Sequence, residues 1–402
     1  MVTRRRLLQA AALTLGGCAA PQAPASTATA APIAAARATS APTPASTPAS
    51  TPAPTPTPRL RPPFGAATAA KLPRWKGAAL FEKGNSYNPA FNKAYVEADF
   101  DSLWEWGFNF VRLPFDYRGF VPTPGAVEEA RLRELDQAIT WGHDRGIHVF
   151  ITMQRAPGYN IDALGGPRET LNLWSDAADG VEARKQFGDV WKMLATRYRG
   201  VPSAELSFNL VNEPSQLVTA AQYKRALGAA VSAIREADPG RLISADGLRF
   251  ATAVVPEIVD LGIAQVMHMY EPFRLTHYQH AAVGGAASMT WPVPDWPLTT
   301  DLRPWSKERM RTERFVPWQA VERQGVGMMM SEFGCSSKTP HSVALAWMRD
   351  LLALTRDAGW GYSLWLMRSE FGFIDSGRAD VTYEDYRGRK LDRKMLEVLR
   401  EG

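Results

Sequence analysis

The chain has 402 residues, 45% of them hydrophobic, and a formal net charge of +5. That length suits one large domain or two ordinary ones, with enough apolar side chains for a sizeable core. The positive charge is concentrated at one end. Through Lys71 the chain carries seven of its 46 basic residues (Arg4, Arg5, Arg6, Arg37, Arg59, Arg61 and Lys71) and no acid, and the remaining 39 face 41 acidic residues. The body of the chain is near neutral and lacks the basic excess of a nucleic-acid binder, so no nucleic-acid partner is expected.

The N-terminus reads as an export signal. Arg4, Arg5 and Arg6 precede a short apolar core, Leu7 to Leu15, too short to span a bilayer stably. Thr3-Arg4-Arg5-Arg6-Leu7-Leu8 resembles a twin-arginine signal. Leu15-Gly16-Gly17-Cys18 resembles a bacterial lipobox, in which the cysteine is lipidated and becomes the first residue of the mature chain. An ordinary secretory signal is the alternative; the small residues before Cys18 and the long tether after it favour the lipoprotein. Residues 1–18 are thus the signal segment. Residues 19–70 form a linker of Ala, Pro, Thr and Ser that cannot bury a core. At ~3 Å per residue it would hold a domain on the order of 100 Å from a membrane. The expected location is outside the cytoplasm, as a cell-envelope lipoprotein or a secreted protein that touches the membrane only through its lipid anchor. The second cysteine, Cys335, is left without an intramolecular partner and with no local base to make a thiolate, so it reads as a packed thiol.

From Lys71 to the C-terminus, strand-like runs alternate with helical stripes. Trp75 to Phe81 is the first predicted strand, and Val96, Phe100 and Leu103 mark the helix after it. Phe108 to Pro114 is the second, followed by Leu132, Leu135 and Ile139. His148 to Met153 is the third, followed by Phe187, Trp191, Leu194 and Tyr198. The fourth runs from Leu206 to Val211, and Tyr223, Leu227, Val231 and Ile234 form its helix. Leu242 to Ala245 is the fifth, with a helix expected near Val255 and Ile258. Ala264 to Met269 is the sixth. A long segment rich in Trp, Pro and Gly follows it, from about Glu271 to Pro304, then a helix near Phe315 and Val321 with a kink expected at Pro317. Val326 to Met330 is the seventh strand, with Val343, Trp347, Leu351 and Leu354 as its helix. Tyr362 to Met367 is the eighth, closed by Leu391, Met395 and Leu399. Eight such units predict a single (β/α)8 TIM barrel over residues 71–402. An open doubly wound sheet is the runner-up, but the chain has neither a dinucleotide fingerprint nor a phosphate-binding loop.

Two strands end in the same way. Leu206-Ser207-Phe208-Asn209-Leu210-Val211 leads into Asn212-Glu213-Pro214, and Met328-Met329-Met330-Ser331 leads into Glu332-Phe333-Gly334. The C-terminal ends of barrel strands face the active-site cleft. Strands four and seven lie across the mouth from one another, so Glu213 and Glu332 can converge there. Paired carboxylates flanking a bond are what glycoside hydrolysis requires. Each glutamate taken alone would more simply be a solvated strand-end carboxylate; the pairing shifts the balance.

These motifs resemble glycoside hydrolase family five, the cellulase family of retaining barrel enzymes, and the resemblance runs from about Trp75 to the C-terminus. It implies Glu213 as acid/base and Glu332 as nucleophile. It implies substrate-binding roles for Arg112 beside the nucleophile, Asn212 at a sugar hydroxyl, His268 and Tyr270 of the His-x-Tyr motif, and Trp365 as a floor under the sugar. Arg112 and Tyr270 are expected to hold the Glu332 carboxyl low and ionised. In Gln154-Arg155-Ala156-Pro157-Gly158, Gln154 replaces the histidine of the family's His-x-x-Pro-Gly loop; it keeps a hydrogen bond but carries no charge. Tyr159, Trp174, Trp291 and Trp296 are candidate sugar platforms or loop anchors. The implied activity is endo-β-1,4-glucanase, on a polysaccharide or oligosaccharide substrate. A β-mannanase or another β-glucanase is the near alternative, and a non-catalytic carbohydrate-binding lipoprotein the distant one. No cofactor and no metal are expected, since of six histidines only His268 sits at a strand end. A monomer is expected.

Overall fold

The computed structural model describes residues 63–161 and 169–402. Cys18 and most of the linker lie outside the described residues.

Eight strands close into one parallel barrel: β1 (Lys76–Ala79), β2 (Phe110–Asp116), β3 (His148–Ala156), β4 (Leu206–Asn209), β5 (Ile243–Asp246), β6 (Ala264–Met269), β7 (Met328–Phe333) and β8 (Tyr362–Leu364). Each pairs with its neighbours in sequence, and β1 pairs with both β2 and β8, which closes the ring. Parallel neighbours need long crossovers, and helices supply most of them. They are α1 (Glu97–Glu105), α2 (Glu129–Arg145), α3 (Ala178–Arg197), α4 (Ala220–Ala237), α5 (Lys307–Met310 continuing through Arg311–Phe315 and Val316–Glu322), α6 (His341–Asp357) and α7 (Arg393–Glu401). No helix among the described residues is long and apolar enough to cross a membrane.

Local chemistry sets these boundaries. Thr219 and Gln222 cap α4 reciprocally, each side chain accepting the other's backbone N–H at 3.3 and 3.0 Å. Gly146 ends α2 in a left-handed turn, with φ 66°. Two helical expectations change. The segment around Val255 and Ile258 is a 3-10 turn, Pro256–Leu261, opened by Pro256 and closed by Gly262 at φ 63°. Pro317 does not simply kink its helix. α5 widens into a π turn over Arg311–Phe315, just before Pro317, where the ladder has no N–H to offer.

The apolar stripes meet the barrel wall. Trp191, Trp318 and Trp347 are fully buried between strands and helices. A separate plug of Leu72, Trp75, Phe110, Phe150, Leu242, Val266 and Met329 fills the N-terminal end of the barrel. The chain before Lys71 joins that end through a Thr68–Lys71 bridge and through the Gly327 N–H, which donates to the Ala69 carbonyl at 2.7 Å. Stability is built at the bottom, and the strand ends at the top are left to hold polar groups.

Candidate active site

Six strand ends deliver the predicted side chains to one mouth. Arg112 lies on β2 and Gln154 on β3. Asn212 and Glu213 follow β4, His268 is on β6 with Tyr270 just past it, Glu332 is on β7, and Trp365 follows β8. Two β-bulges help aim them. The β2–β3 register passes from Phe115 opposite Met153 to Asp116 opposite Arg155, leaving Gln154 as the extra residue. The β6–β7 register passes from Met267 opposite Met330 to His268 opposite Glu332, leaving out Ser331. A bulge breaks the strict alternation of side chains, so consecutive residues can be re-aimed at one site.

Glu332 is buried, and both its oxygens are engaged. Arg112 donates through Nη1 to Oε2 at 2.6 Å, and the Tyr270 hydroxyl donates to Oε1 at 2.7 Å. Arg112 also donates through Nη2 to Asn212 Oδ1 at 2.7 Å, which ties the asparagine to the same guanidinium. The Trp365 ring lies 5.7 Å from that guanidinium and packs edge-on against Phe81 at 4.9 Å. Glu213 is more open, its side chain 17% exposed. His268 Nδ1 lies 2.9 Å from Glu213 Oε1 and 3.8 Å from Glu332 Oε2. One oxygen of each glutamate and a nitrogen of His268 lie within 4.8 Å of one another.

The electrostatics correct one expectation. Burial pushes the Glu332 carboxyl above its ordinary range; His268 and then Arg112 pull it back, Glu213 pushes it up again, and the Tyr270 bond opposes that. Desolvation therefore outweighs the neighbours that were expected to hold it low. The His268 pKa also rises, but against burial rather than because of it. Burial disfavours its imidazolium, but Glu332, Asp246 and the bond to Glu213 together raise its pKa above the usual value.

Glu213 sits in a left-handed backbone conformation, with φ 48°. This is costly for a residue with a Cβ and persists only where its surroundings enforce it. Two side chains do so. The Glu213 N–H donates to Asp246 Oδ2 at 2.8 Å, and the Tyr159 hydroxyl donates to the Glu213 carbonyl at 2.6 Å. Tyr159 is thus a support for Glu213. Trp174 is buried against Tyr159 and Tyr223, at 5.0 and 6.0 Å between rings, and offers no free face. Trp296 anchors its loop on α6, donating through Nε1 to Asp350 Oδ2 at 3.0 Å. Of the four aromatic candidates only Trp291, half-buried with its ring edge-on to Phe273, keeps the platform reading open. Cys335 is buried near Leu275, and burial pushes its thiol up, as suits a packed side chain.

Asp246 was missed. It ends β5 and is followed by Gly247, the same strand–carboxylate–glycine pattern that surrounds Glu332. That pattern was the available signal.

The cellulase family model, glycosyl hydrolase family 5, matches residues 68–370. The chain belongs to glycoside hydrolase family 5. It is a glycoside hydrolase, and its substrate is a polysaccharide or oligosaccharide. Endoglucanase C of Acetivibrio thermocellus is 24% identical over 319 residues, covering 73% of this chain and 90% of that protein. Cellodextrinase A of Ruminococcus flavefaciens is 26% identical over 273 residues, covering 63% and 72%. Among solved structures, a glycoside hydrolase at 34% identity superimposes with a TM-score of 0.74 over 82% of this chain and 99% of that one. An endoglucanase from Thermotoga maritima, at 21% identity, shares the fold with a TM-score of 0.65 over 80% and 96%.

Proposed function

We propose that this protein is a retaining endo-β-1,4-glucanase working by double displacement, with Glu213 as acid/base and Glu332 as nucleophile. The observation that carries this reading is the approach of the two carboxylates across the mouth, within 4.8 Å at their nearer oxygens. Retaining glycosidases hold their carboxyl groups ~5–5.5 Å apart, too close for an intervening water. Glu332 attacks the anomeric carbon while Glu213 protonates the leaving oxygen; water then displaces the ester as Glu213 takes up its proton. Arg112 and Tyr270 hold the nucleophile, Asn212 binds the hydroxyl beside the reacting carbon, and Trp365 lies under the ring. The Gln154 Oε1 atom is buried with no hydrogen-bond partner among the described residues, so it accepts from a sugar hydroxyl. The endoglucanase names of the relatives support a glucan substrate.

The test is reducing-sugar release from carboxymethylcellulose, barley β-glucan, glucomannan and xylan by the wild type, Glu332→Ala and Glu213→Ala. Release from the two glucans, lost by about 10⁴-fold in Glu332→Ala, is expected. Preference for glucomannan would move the assignment to a mannanase. Binding without release in all three proteins would leave a carbohydrate-binding lipoprotein.

We further propose that the protein is an exported monomer, tethered by lipid on Cys18 at the end of signal residues 1–18 and carried by linker 19–70 ahead of barrel 71–402. Cys18→Ala should move the protein from the membrane fraction to the soluble fraction of the same cells; an unchanged distribution would sink the anchor.

A further inference from the structure

Asp246 is fully buried and does not reach the cleft, yet two N–H donors bond its carboxylate and the His268 ring approaches it. Oδ1 accepts from Asn209 Nδ2 at 3.0 Å, and Oδ2 accepts from the Glu213 N–H at 2.8 Å. His268 Nε2 lies 3.2 Å from the same Oδ2, off the line of a straight hydrogen bond. The Asp246 carbonyl is held by the Tyr223 hydroxyl at 2.6 Å. The His268 ring therefore points both nitrogens at carboxylates, Nε2 at Asp246 and Nδ1 at Glu213 with Glu332 behind it. A neutral imidazole has one N–H and one lone pair, and a lone pair aimed at an acceptor oxygen is repelled; Asp246 Oδ2 is such an oxygen, and so is Glu213 Oε1 while the Glu213 proton sits on Oε2. The doubly protonated ring fits both directions.

We propose that Asp246 is a positioning residue that keeps His268 doubly protonated through both halves of the reaction, so that Glu213 releases a proton in the first half and accepts one in the second. This rests on the proposed roles of Glu213 and Glu332. The groups facing His268 are Glu213 from β4, Asp246 from β5 and Glu332 from β7, with Arg112 from β2 and Tyr270 bonded to Glu332. Before attack, the charges of Asp246, His268, Glu332 and Arg112 cancel, and Glu213 holds its proton. In the first half a Glu332 oxygen bonds to the anomeric carbon, the glycosidic C–O bond breaks, and the Glu213 proton goes to the leaving oxygen. Glu332 is now a neutral ester and Glu213 an anion, and the sum is again zero. With the negative charge moved onto Glu213, the imidazolium beside it favours the ionised base. In the second half a water oxygen bonds to the anomeric carbon, its proton goes to Glu213, and the ester C–O bond breaks to return Glu332 as carboxylate. Without the Asp246 charge the imidazolium loses its counterion, and the second half suffers most.

The experiment uses the full chain with a dinitrophenyl β-cellobioside, whose leaving group needs no acid, so that the second half limits the rate. In Asp246→Asn, kcat should fall on the order of 10- to 100-fold with KM falling in parallel as the ester accumulates. Azide attacks the ester without a base, so it should restore most of kcat and yield a β-cellobiosyl azide. Tyr223→Phe, which loosens the same strand end but leaves the charge, should not respond to azide. An Asp246→Asn enzyme with lowered kcat, unchanged KM and no azide response overturns the proposal. If Asp246→Asn does not fold, His268→Gln, which removes the same positive charge, must show the azide response, and its failure overturns the proposal equally. Glu213→Ala is the control on the underlying reading. If it forms no glycosyl azide, the role of Glu213 falls and this proposal with it; if it does and Asp246→Asn does not, only Asp246 is misassigned.

Discussion

His148 and His268 are both fully buried on barrel strands, at opposite ends of the same molecule. His148 opens β3 at the plugged end. Its Nδ1 lies 2.8 Å from the Ala204 carbonyl, its Nε2 lies 2.6 Å from the Ser207 hydroxyl, and its ring stacks on Trp75 at 3.7 Å. Burial drives its pKa down to about 3, against a smaller upward pull from the Ala204 bond. His268 pays the same burial penalty and is nevertheless raised, because Glu332, Asp246 and Glu213 surround it. Burial alone thus does not decide whether a histidine is charged; the presence of anions does. The plugged end is satisfied by one carbonyl and one hydroxyl and stays neutral. The mouth gathers charge, and in doing so gives up some stability for chemistry.

The two histidines load the fold in opposite pH directions. The folded His148 resists the proton that the unfolded chain takes up below pH 6.5, so its contribution is present above that value and lost as pH falls toward about 3. For His268 the folded state holds its proton more tightly. That contribution is present below the ordinary value and lost as pH rises through the folded one. The largest effect predicted from this contrast is at the plugged end. His148→Gln keeps a donor and an acceptor but removes the titration. The stability difference between wild type and His148→Gln, measured by denaturant unfolding, should shift in favour of the variant as pH falls below 6.5, by at most ~1.4 kcal/mol per pH unit. A difference that stays constant down to pH 4 would mean that His148 charges in the folded state, and the contrast with His268 would collapse.

The sequence made the barrel legible because its apolar runs and helical stripes alternate so regularly. Glu213 and Glu332 were legible because each ends an apolar strand beside a chain-breaking Pro or Gly. The shorter units were harder. The Val255–Ile258 stripe has helical spacing, but Pro256 and Gly262 bound it too tightly for more than a 3-10 turn. Tyr159 and Trp174 look like sugar platforms in a list of loop aromatics, and only packing shows that one braces the Glu213 carbonyl and the other braces that brace. The register shifts at Gln154 and Ser331 leave no local trace in composition, since a bulge depends on the partner strand. Asp246 had a signal, but its role depends on which way His268 turns. The direction of the Glu332 shift was misjudged for a related reason: neighbours can be inferred from motifs, whereas the depth of burial emerges from the whole fold.

A third histidine separates anion from depth. His280, in the segment after β6, is partly buried, and its Nε2 lies 2.9 Å from Oε1 of Glu370, whose side chain is 48% exposed, in the segment after β8. The His280 bond holds the Glu370 carboxyl below its usual range, so the pair's contribution is present above that range and lost as pH falls through the lowered value. Between the two segments, Phe371 packs against the rings of His277 and His280, and His277 in turn against Tyr270. The contact therefore links the two loops that flank Glu332. If an anion were sufficient, this pair would matter as much as the one at His268. Water screens it, however, and exposed pairs contribute under ~1 kcal/mol. Glu370→Gln should accordingly lower stability by less than ~1 kcal/mol near pH 7, with the loss fading in 0.5 M salt. A much larger loss, insensitive to salt, would show that the bridge is shielded from water and that the two loops form part of the rigid wall around Glu332.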